Sequence, residues 1–337
     1  MKVIAVFNAG SSSLKFSVFR HDNLELLHKG DVDVPDSKDG HKKALNEALT
    51  WISSQKELEL SVAGHRVVHG KDRAKPVKIT PEVLKELQSL IPLAPLHQPH
   101  NLSIIEELAK LHPNLPQIAC FDTAFHRTQP KLAEMFALPR HFYDDGVKRY
   151  GYHGISYEYI ASEIPKYAKV HEKVVVAHLG NGASLCAMKD LKSVATSMGF
   201  STLDGLMMGT RTGVLDAGVI LYLQQHLKMS VEAVSDLFYH KSGLLGVSGI
   251  SNDMRTLEES KKPEAREAID LFCRMAAQQL GGLIAILGGL DALVFTGGIG
   301  EHSERVRQGI IDYFAWISPP VYVIPTNEEL VIARACR

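Results

Sequence analysis

One plan of sequence occurs twice in this chain. Val3 to Val18 reads VIAVFNAGSSSLKFSV and Val174 to Met188 reads VVVAHLGNGASLCAM, each an apolar run, a turn of small or polar residues, and a second run. Sliding one onto the other by 171 residues sets Ser13-Leu14 on Ser184-Leu185 and Gly10 against Asn181. Such a repeat constrains the fold more than composition does, because each copy must be one supersecondary unit of its own half. In the first copy Val3, Ile4, Val6 and Phe7 predict a buried strand, and Leu14, Phe16 and Val18 alternate with Lys15 and Ser17. A length of 337 residues leaves room for two domains, and 45% apolar residues suffice for a core in each.

The first turn has a chemical character. Gly10 can take positive φ, Ser11, Ser12 and Ser13 offer hydroxyls and N–H groups, Lys15 a point charge, and Asn8 an amide oxygen suited to a hydrated divalent ion. These groups cradle phosphate. They do not form a P-loop, since Lys15 is followed by Phe16 and a strand rather than a helix comes next. Two such hairpins, one per domain, predict a pair of phosphate grips across a cleft, a geometry for the β- and γ-phosphates of ATP. Two unrelated glycine-rich hairpins remain the alternative.

A net charge of −1 gives no footprint for nucleic acid or a membrane surface, so the expected ligand is small. The chain opens directly on a strand, which predicts no secretory signal. The most apolar window, Gly281 to Leu290, closes at Asp291, short of the ~20 residues that span a bilayer. Cys120, Cys186, Cys273 and Cys336 lie far apart with no CxxC, the pattern of reduced thiols in a cytosolic, hence cytoplasmic, protein. Among sixteen histidines, His65 and His69 are four apart. Arg66-Val67-Val68 between them reads as strand, where two rings at that spacing do not share a metal as they would on a helix.

Along the chain, Lys42 to Ile52 reads as a helix and Val62 to Gly70 as a short strand and loop carrying Arg66, which needs a carboxylate or an anionic ligand. Thr80-Pro81 starts a helix whose stripe is Val83, Leu84, Leu87 and Leu90. Residues 94–100 form a loop stiffened by prolines, and a helix follows from about Asn101 to Leu111. Gln117 to Phe121 is a strand, and Asp122 at its end suits either the ligand edge of a sheet or a helix cap. Composition becomes more apolar after about residue 148, the expected domain boundary. Gly205 to Gly213 is a glycine-bounded loop with Arg211, and Pro263 to Leu287 is a helix with one core stripe. Ala292 to Phe295 is a strand, and Gly297, Gly298 and Gly300 behind it expose backbone against which a flat ring such as adenine can lie.

Assembled, these segments resemble the acetate and propionate kinase family, within the actin, hexokinase and heat-shock ATPase superfamily. The motifs run in order as FNAGSSSLKF, GHRVVHG, APLHQPHNL, FDTAFH, RYGYHGIS, HLGNGAS, GLMMGTRTG, FTGGIGE and IPTNEELVIAR, from residue 3 to 334. The resemblance implies an α/β fold of two duplicated ribonuclease-H-like (actin-like ATPase) domains with a central cleft. The N-terminal domain would hold residues 1–147 and 325–337, the carboxylate and phosphate side. The C-terminal domain, residues 148–324, would bind nucleotide and dimerise.

The same resemblance implies a homodimer that joins ATP and a short carboxylate such as acetate to give ADP and acyl phosphate, using Mg²⁺ or Mn²⁺. Asn8 and Glu328 would hold the metal. Lys15 and the hairpin serines would meet phosphate, Arg66 and Arg211 would clamp carboxylate and phosphoryl group, and His153 would stabilise the transition state. Asp122 matches the family's acid–base residue. His178, Leu179, Gly180, Asn181, Gly182, Asp253, Met254, Arg255, Gly298, Ile299, Gly300, Glu301 and His302 would line the nucleotide site, with His97 nearby. Val68, Leu96, Tyr152 and Thr202 would wall the acyl chain. Tyr152 and Thr202 stand where the family has Phe and Pro, which predicts a more polar and roomier wall, and a propionate or other short-acid kinase is the alternative. His302 and Gln98 replace Asn, Val214 replaces an acidic residue, and the chain is shorter than typical members around residues 20–60 and 301–324. A nucleotide-binding module without turnover is the reading from another class, opposed by the full set of charged residues. A carboxylate is already ionised at neutral pH and needs no general base. Asp122 is therefore expected to orient a metal-bound water or an arginine rather than to move a proton.

Overall fold

The computed structural model describes residues 1–10, 12–37 and 39–337. Ser11, one of the hairpin serines, lies outside the described residues. By contacts the chain divides into two compact units. The first comprises Met1–Arg127, Gly154–Tyr159 and Asn327–Arg337, the second Thr128–His153 and Ile160–Thr326.

The first unit holds β1 (Lys2–Ala9), β2 (Ser13–Arg20), β3 (Leu26–Asp33), β4 (Glu59–Val67), β5 (Val77–Lys78) and β6 (Gln117–Phe121), in the order β3-β2-β1-β4-β6-β5. β1, β2 and β3 pair antiparallel, while β4 and β6 continue parallel to β1. The second unit holds β7 (Lys173–Leu179), β8 (Ala183–Lys189), β9 (Lys192–Thr196), β10 (Ala292–Thr296) and β11 (Val321–Val323), in the order β9-β8-β7-β10-β11. Its pairings have the same senses: β7, β8 and β9 antiparallel, β10 and β11 parallel to β7. The duplication seen in the sequence is thus a duplicated sheet, and each is the ribonuclease-H-like arrangement of actin-like ATPases.

β1 shows why the first apolar run is nearly continuous. Val3, Ala5 and Phe7 pack with Ala44, Leu45, Ala48 and Ile52 of the helix Gly40–Ser54 and with Ile104 and Leu108 of the helix Gln98–Leu111. Ile4 and Val6, on the other face, pack with Ile155 and with Val331 and Ile332 of the helix Glu328–Ala335. A strand buried on both faces carries apolar residues at both parities. The last helix therefore returns to the first sheet.

Most expected elements are present, with three differences. The helix Gln98–Leu111 begins three residues before Asn101, because Pro99 sits in its first turn, where its missing N–H costs nothing. Residues 297–302 form a short helix directly after β10 instead of an open glycine loop. The helix Pro263–Leu287 is, by length and composition, apolar enough to cross a membrane, which the ten-residue window 281–290 concealed. Its stripe of Ala265, Ile269, Phe272, Ala276, Leu280 and Leu283 is buried, and the helix packs on β7, β8 and β9.

Candidate active site

In the first unit, parallel pairing of β4 with β6 sets Arg66 beside Cys120 and Val67 beside Phe121. Asp122 comes next, its N–H donating to the Val67 carbonyl at 3.1 Å. The Arg66 guanidinium grips this carboxylate with two nitrogens: Nε donates to Oδ1 at 3.0 Å and Nη2 to Oδ2 at 2.6 Å. Nη1 reaches the amide oxygen of Asn8, at the end of the neighbouring β1, at a long 3.4 Å. Glu328, brought by the last helix, lies 3.8 Å from Nε. Asp122 is buried, and the Arg66 side chain is about a fifth exposed (21%). Burial works against the Arg66 cation, but Asp122 and then Glu328 outweigh it and raise its pKa above the ordinary arginine value. Sequence left Asp122 between sheet-edge ligand and helix cap; its carboxylate here faces an arginine.

Two carboxylates face this one guanidinium. Asn8 and Glu328, the expected metal ligands, both lie at Arg66 and offer only oxygen. Hard oxygen donors in small number, with phosphate and water completing the shell, are what Mg²⁺ takes. Among the described residues no group of three or more His, Cys, Asp or Glu is arranged to hold a metal. Lys15 is exposed and pairs with Asn8 across the hairpin. Gly10 is not among the residues with positive φ; its N–H closes the turn onto the Ser13 carbonyl at 2.8 Å.

Two amides that sequence reasoning did not single out for this role organise the segment after β4. Gln98 donates to the His69 carbonyl at 3.0 Å and accepts the His69 N–H at 3.1 Å, pairing with the backbone as a neighbouring strand would. Asn101 accepts the Val68 N–H at 3.0 Å and donates to the Ala9 carbonyl at 2.9 Å, tying Val68 to the base of the hairpin. Both amides are buried. Of the expected acyl-wall residues here, Val68 is buried and Leu96 half-buried, as is His97. The Asp122 carbonyl accepts the Gly154 N–H at 2.8 Å, an approach so close that a Cβ on residue 154 would collide with it.

In the second unit, His153 has left-handed backbone, φ 58°. Its Nδ1 lies 2.8 Å from the Ser184 hydroxyl, and its ring stacks on His178 with centroids 4.3 Å apart. A loop around residues 199–204 holds Arg211 and the segment just before His153. It accepts the Tyr150 N–H at the Gly199 carbonyl (3.0 Å), the Tyr152 hydroxyl at Phe200 (2.7 Å) and Arg211 Nη1 at Thr202 (3.1 Å). Arg149 and Asp204 close it with an ion pair of 2.6 Å. The Tyr152 hydroxyl, expected to add polarity to an acyl wall, is thus engaged with backbone in a buried position.

A cavity of about 240 Å³ in the same unit is lined by eight of the expected nucleotide residues: Gly180, Asn181, Asp253, Met254, Arg255, Gly298, Ile299 and His302. It adds Glu258 and Ser303. Ser303 caps the helix Glu304–Ile311 and its hydroxyl donates to Glu258, a contact with no signature in local sequence. Asp253 caps the helix Met254–Glu259; the Thr256 N–H bonded to its carboxylate, ahead of burial acting the other way, holds its pKa below the ordinary value. The other expected nucleotide residues of this unit are placed differently. Leu179 is core, Gly182 lies by His153, and Gly300 is buried. Glu301 turns to the N–H groups of Gly297 (3.0 Å) and Thr326 (3.3 Å). Lys15 belongs to the first unit.

Residues 28–319 match the acetokinase family. The acetate kinase of Rhodopseudomonas palustris (strain ATCC BAA-98 / CGA009) is 49% identical to the chain, with 98% of the chain and 97% of that protein covered. That alignment extends over 386 positions, more than the chain has residues, so segments of the relative have no counterpart here. Among solved structures, a propionate kinase from Francisella tularensis superposes with a TM-score of 0.91 at 34% identity over 99% of both chains. An acetate kinase from Porphyromonas gingivalis superposes with a TM-score of 0.88 at 31% identity, over 100% of this chain and 99% of that one.

Proposed function

The chain belongs to the acetokinase family, and from that premise we propose that it transfers the γ-phosphoryl group of ATP reversibly to a short carboxylate, acetate first, giving ADP and acyl phosphate. The observation that carries this reading is the Arg66–Asp122 pair with Glu328 and Asn8 beside it, a guanidinium ringed by oxygen donors where a divalent cation would offset the carboxylates and let an anionic nucleophile approach. A sugar hydroxyl would give no reason for it.

Arg66 binds and orients the carboxylate, which attacks without a base because it is already ionised. Arg211 neutralises charge on the equatorial oxygens as the phosphoryl group passes between oxygens, the main task in such transfers, and His153 donates a hydrogen bond to them. The 240 Å³ cavity takes the nucleoside. Asn8 and Glu328 hold Mg²⁺ or Mn²⁺, which when bound offsets negative charge on the phosphates. Asp122 keeps Arg66 in place and moves no proton.

Asp122→Asn is then expected to raise the carboxylate KM and the apparent Mg²⁺ requirement by about 10–100-fold, the loss of one charge-assisted hydrogen bond. The pH profile of kcat should keep its shape. Loss of its acid or base limb in the variant would return Asp122 to proton transfer.

Hydroxamate trapping of acyl phosphate across acetate, propionate, butyrate and hydroxy acids tests the activity itself, with turnover expected for acetate. Silence with every short acid would leave a nucleotide-binding module. Propionate is the second reading, favoured by the likeness to the Francisella protein and by Thr202 where the family has Pro. A higher kcat/KM for propionate would select it.

We also propose a cytoplasmic homodimer. Four free cysteines accord with a reducing compartment, which a compartment-resolved immunoblot would contradict if the chain fractionated elsewhere. The helix Ala217–Gln225 buries none of its residues and exposes Leu221 and Tyr222 by more than half, beside exposed Val214, Leu215 and Leu227. A contiguous apolar face of this kind marks an association surface. Sedimentation at a single-chain mass would remove the dimer.

A further inference from the structure

We infer that His41 is a positioning residue for the phosphate hairpin: its ring holds the Gly10 carbonyl and so keeps the turn presenting donors to phosphate. The inference rests on the proposed role of that hairpin and names a group behind it.

Phosphate oxygens only accept hydrogen bonds, so a turn that cradles phosphate must offer its N–H and hydroxyl groups and commit its carbonyls elsewhere. The turn between β1 and β2 does this with four carbonyls. Ala9 accepts from the Asn101 amide at 2.9 Å, Gly10 from the His41 ring at 2.9 Å, Ser12 from the Val34 N–H at 2.9 Å and Ser13 from the Gly10 N–H at 2.8 Å. Ser12 itself is exposed and Ser13 half-buried, open to a ligand.

Two of the four donors are backbone groups, and Asn101 also serves the Val68 N–H. His41 adds a side chain from another element, the first turn of the helix Gly40–Ser54, 31 residues along the chain from Gly10. A carbonyl oxygen only accepts, so the His41 ring donates and carries a proton on Nε2. The ring is half-buried and stacks on His100, with centroids 4.8 Å apart and planes 21° from parallel. His100 lies in the first turn of the helix Gln98–Leu111, which also carries Asn101. Burial first, and the His41 ring second, hold the His100 pKa below the ordinary histidine value, so the backing ring is neutral at neutral pH. Without the proton from His41 the Gly10 carbonyl is free to turn outward, and its negative end would then face the oxygens that the turn has to bind.

Nitrogen-15 NMR of the histidine rings at about pH 8, where an ordinary imidazole is neutral, tests the contact in the whole protein without substrate. The His41 signals are identified by their loss in His41→Gln, and the wild type should show the Nε2–H tautomer. Calorimetry then compares MgATP with adenosine, which lacks phosphate and reads the cavity of the second unit alone. His41→Phe keeps a ring against His100 but no donor. It should weaken MgATP binding by about tenfold, as expected for the loss of one hydrogen bond, and leave adenosine within about twofold. His41→Gln, whose side-chain amide can donate, should recover most of that loss. An Nδ1–H tautomer in the wild type overturns the proposal, even where His41→Phe fails to fold. Unchanged MgATP affinity in His41→Phe overturns it too. A glutamine variant as weak as the phenylalanine one, or an equal loss for adenosine, does the same by making His41 merely structural. Absence of any kinase activity would instead strike the functional reading and leave the binding comparison to decide.

Discussion

Replacing Arg211 with alanine is expected to lower kcat by about 10³–10⁵, the range for an arginine that acts on a transferring phosphoryl group. Arg211 Nη1 donates to the Thr202 carbonyl, which helps to fix the guanidinium, and it approaches the β7–β8 turn at Gly182. KM for ATP should change far less than kcat, because charge on the equatorial oxygens is redistributed as transfer proceeds. Arg211→Lys should recover only part of the rate, since an ammonium keeps the charge but loses the planar fork. Single-turnover measurements with saturating ATP and acetate read the effect. An alanine variant within tenfold of wild type would remove Arg211 from the transition state.

The second large effect is loss of stability in acid, centred on two buried histidines of the first unit. His65 is 2% exposed and stacks on Phe7; burial, partly offset by the nearby Gln117 amide oxygen, which favours a protonated ring, lowers its pKa to about 4. His69 accepts the Lys71 N–H at Nδ1, and burial, then the charge of Arg127 against that of Asp72, also lowers it to about 4. In the unfolded chain both titrate near 6.5. Between pH 6.5 and 4 the unfolded state binds protons that the native state refuses, so the folded form is penalised as pH falls. The stabilisation from neutral histidine is complete above about pH 6.5 and is lost by about pH 4, on the order of 3 kcal/mol for each ring. That is a large fraction of the 5–15 kcal/mol of a typical domain. Urea unfolding followed by Trp51, in a Trp316→Phe variant that leaves one tryptophan, should show the midpoint falling steeply from pH 7 to pH 5. His65→Leu should make the fall shallower by about one proton. A midpoint that stays constant over that range would sink the account.

The two hairpins, the strand Gln117–Phe121, the cap at Thr80 and the helix Pro263–Leu287 were all legible because their signals are local. Strand alternation, a side-chain oxygen three residues before an N–H, and a run of 25 helix-compatible residues each lie within a few turns of chain. What misled was local as well. Pro99 read as loop stiffener although proline suits a first helical turn, and three glycines after β10 read as open backbone although they begin a helix. Glu301 sits in a glycine motif but serves backbone N–H groups, whereas Glu258 and Ser303, in no such motif, line the cavity.

The sequence by itself determined the repeated strand–turn–strand plan, the family, and the kinds of residue available for phosphate and carboxylate, because periodicity and motif order are properties of the chain written out in line. Only the tertiary structure decided who meets whom. Asp122 and Arg66 are 56 residues apart, and Glu328 reaches the same guanidinium from the far end of the chain because the last helix packs against the first sheet. Ser184 reaches His153 across 31 residues, beside its cross-strand partner His178, whose ring stacks on the same histidine. Such contacts follow from strand order and from which face of each element is buried, and no pattern within a short window encodes them.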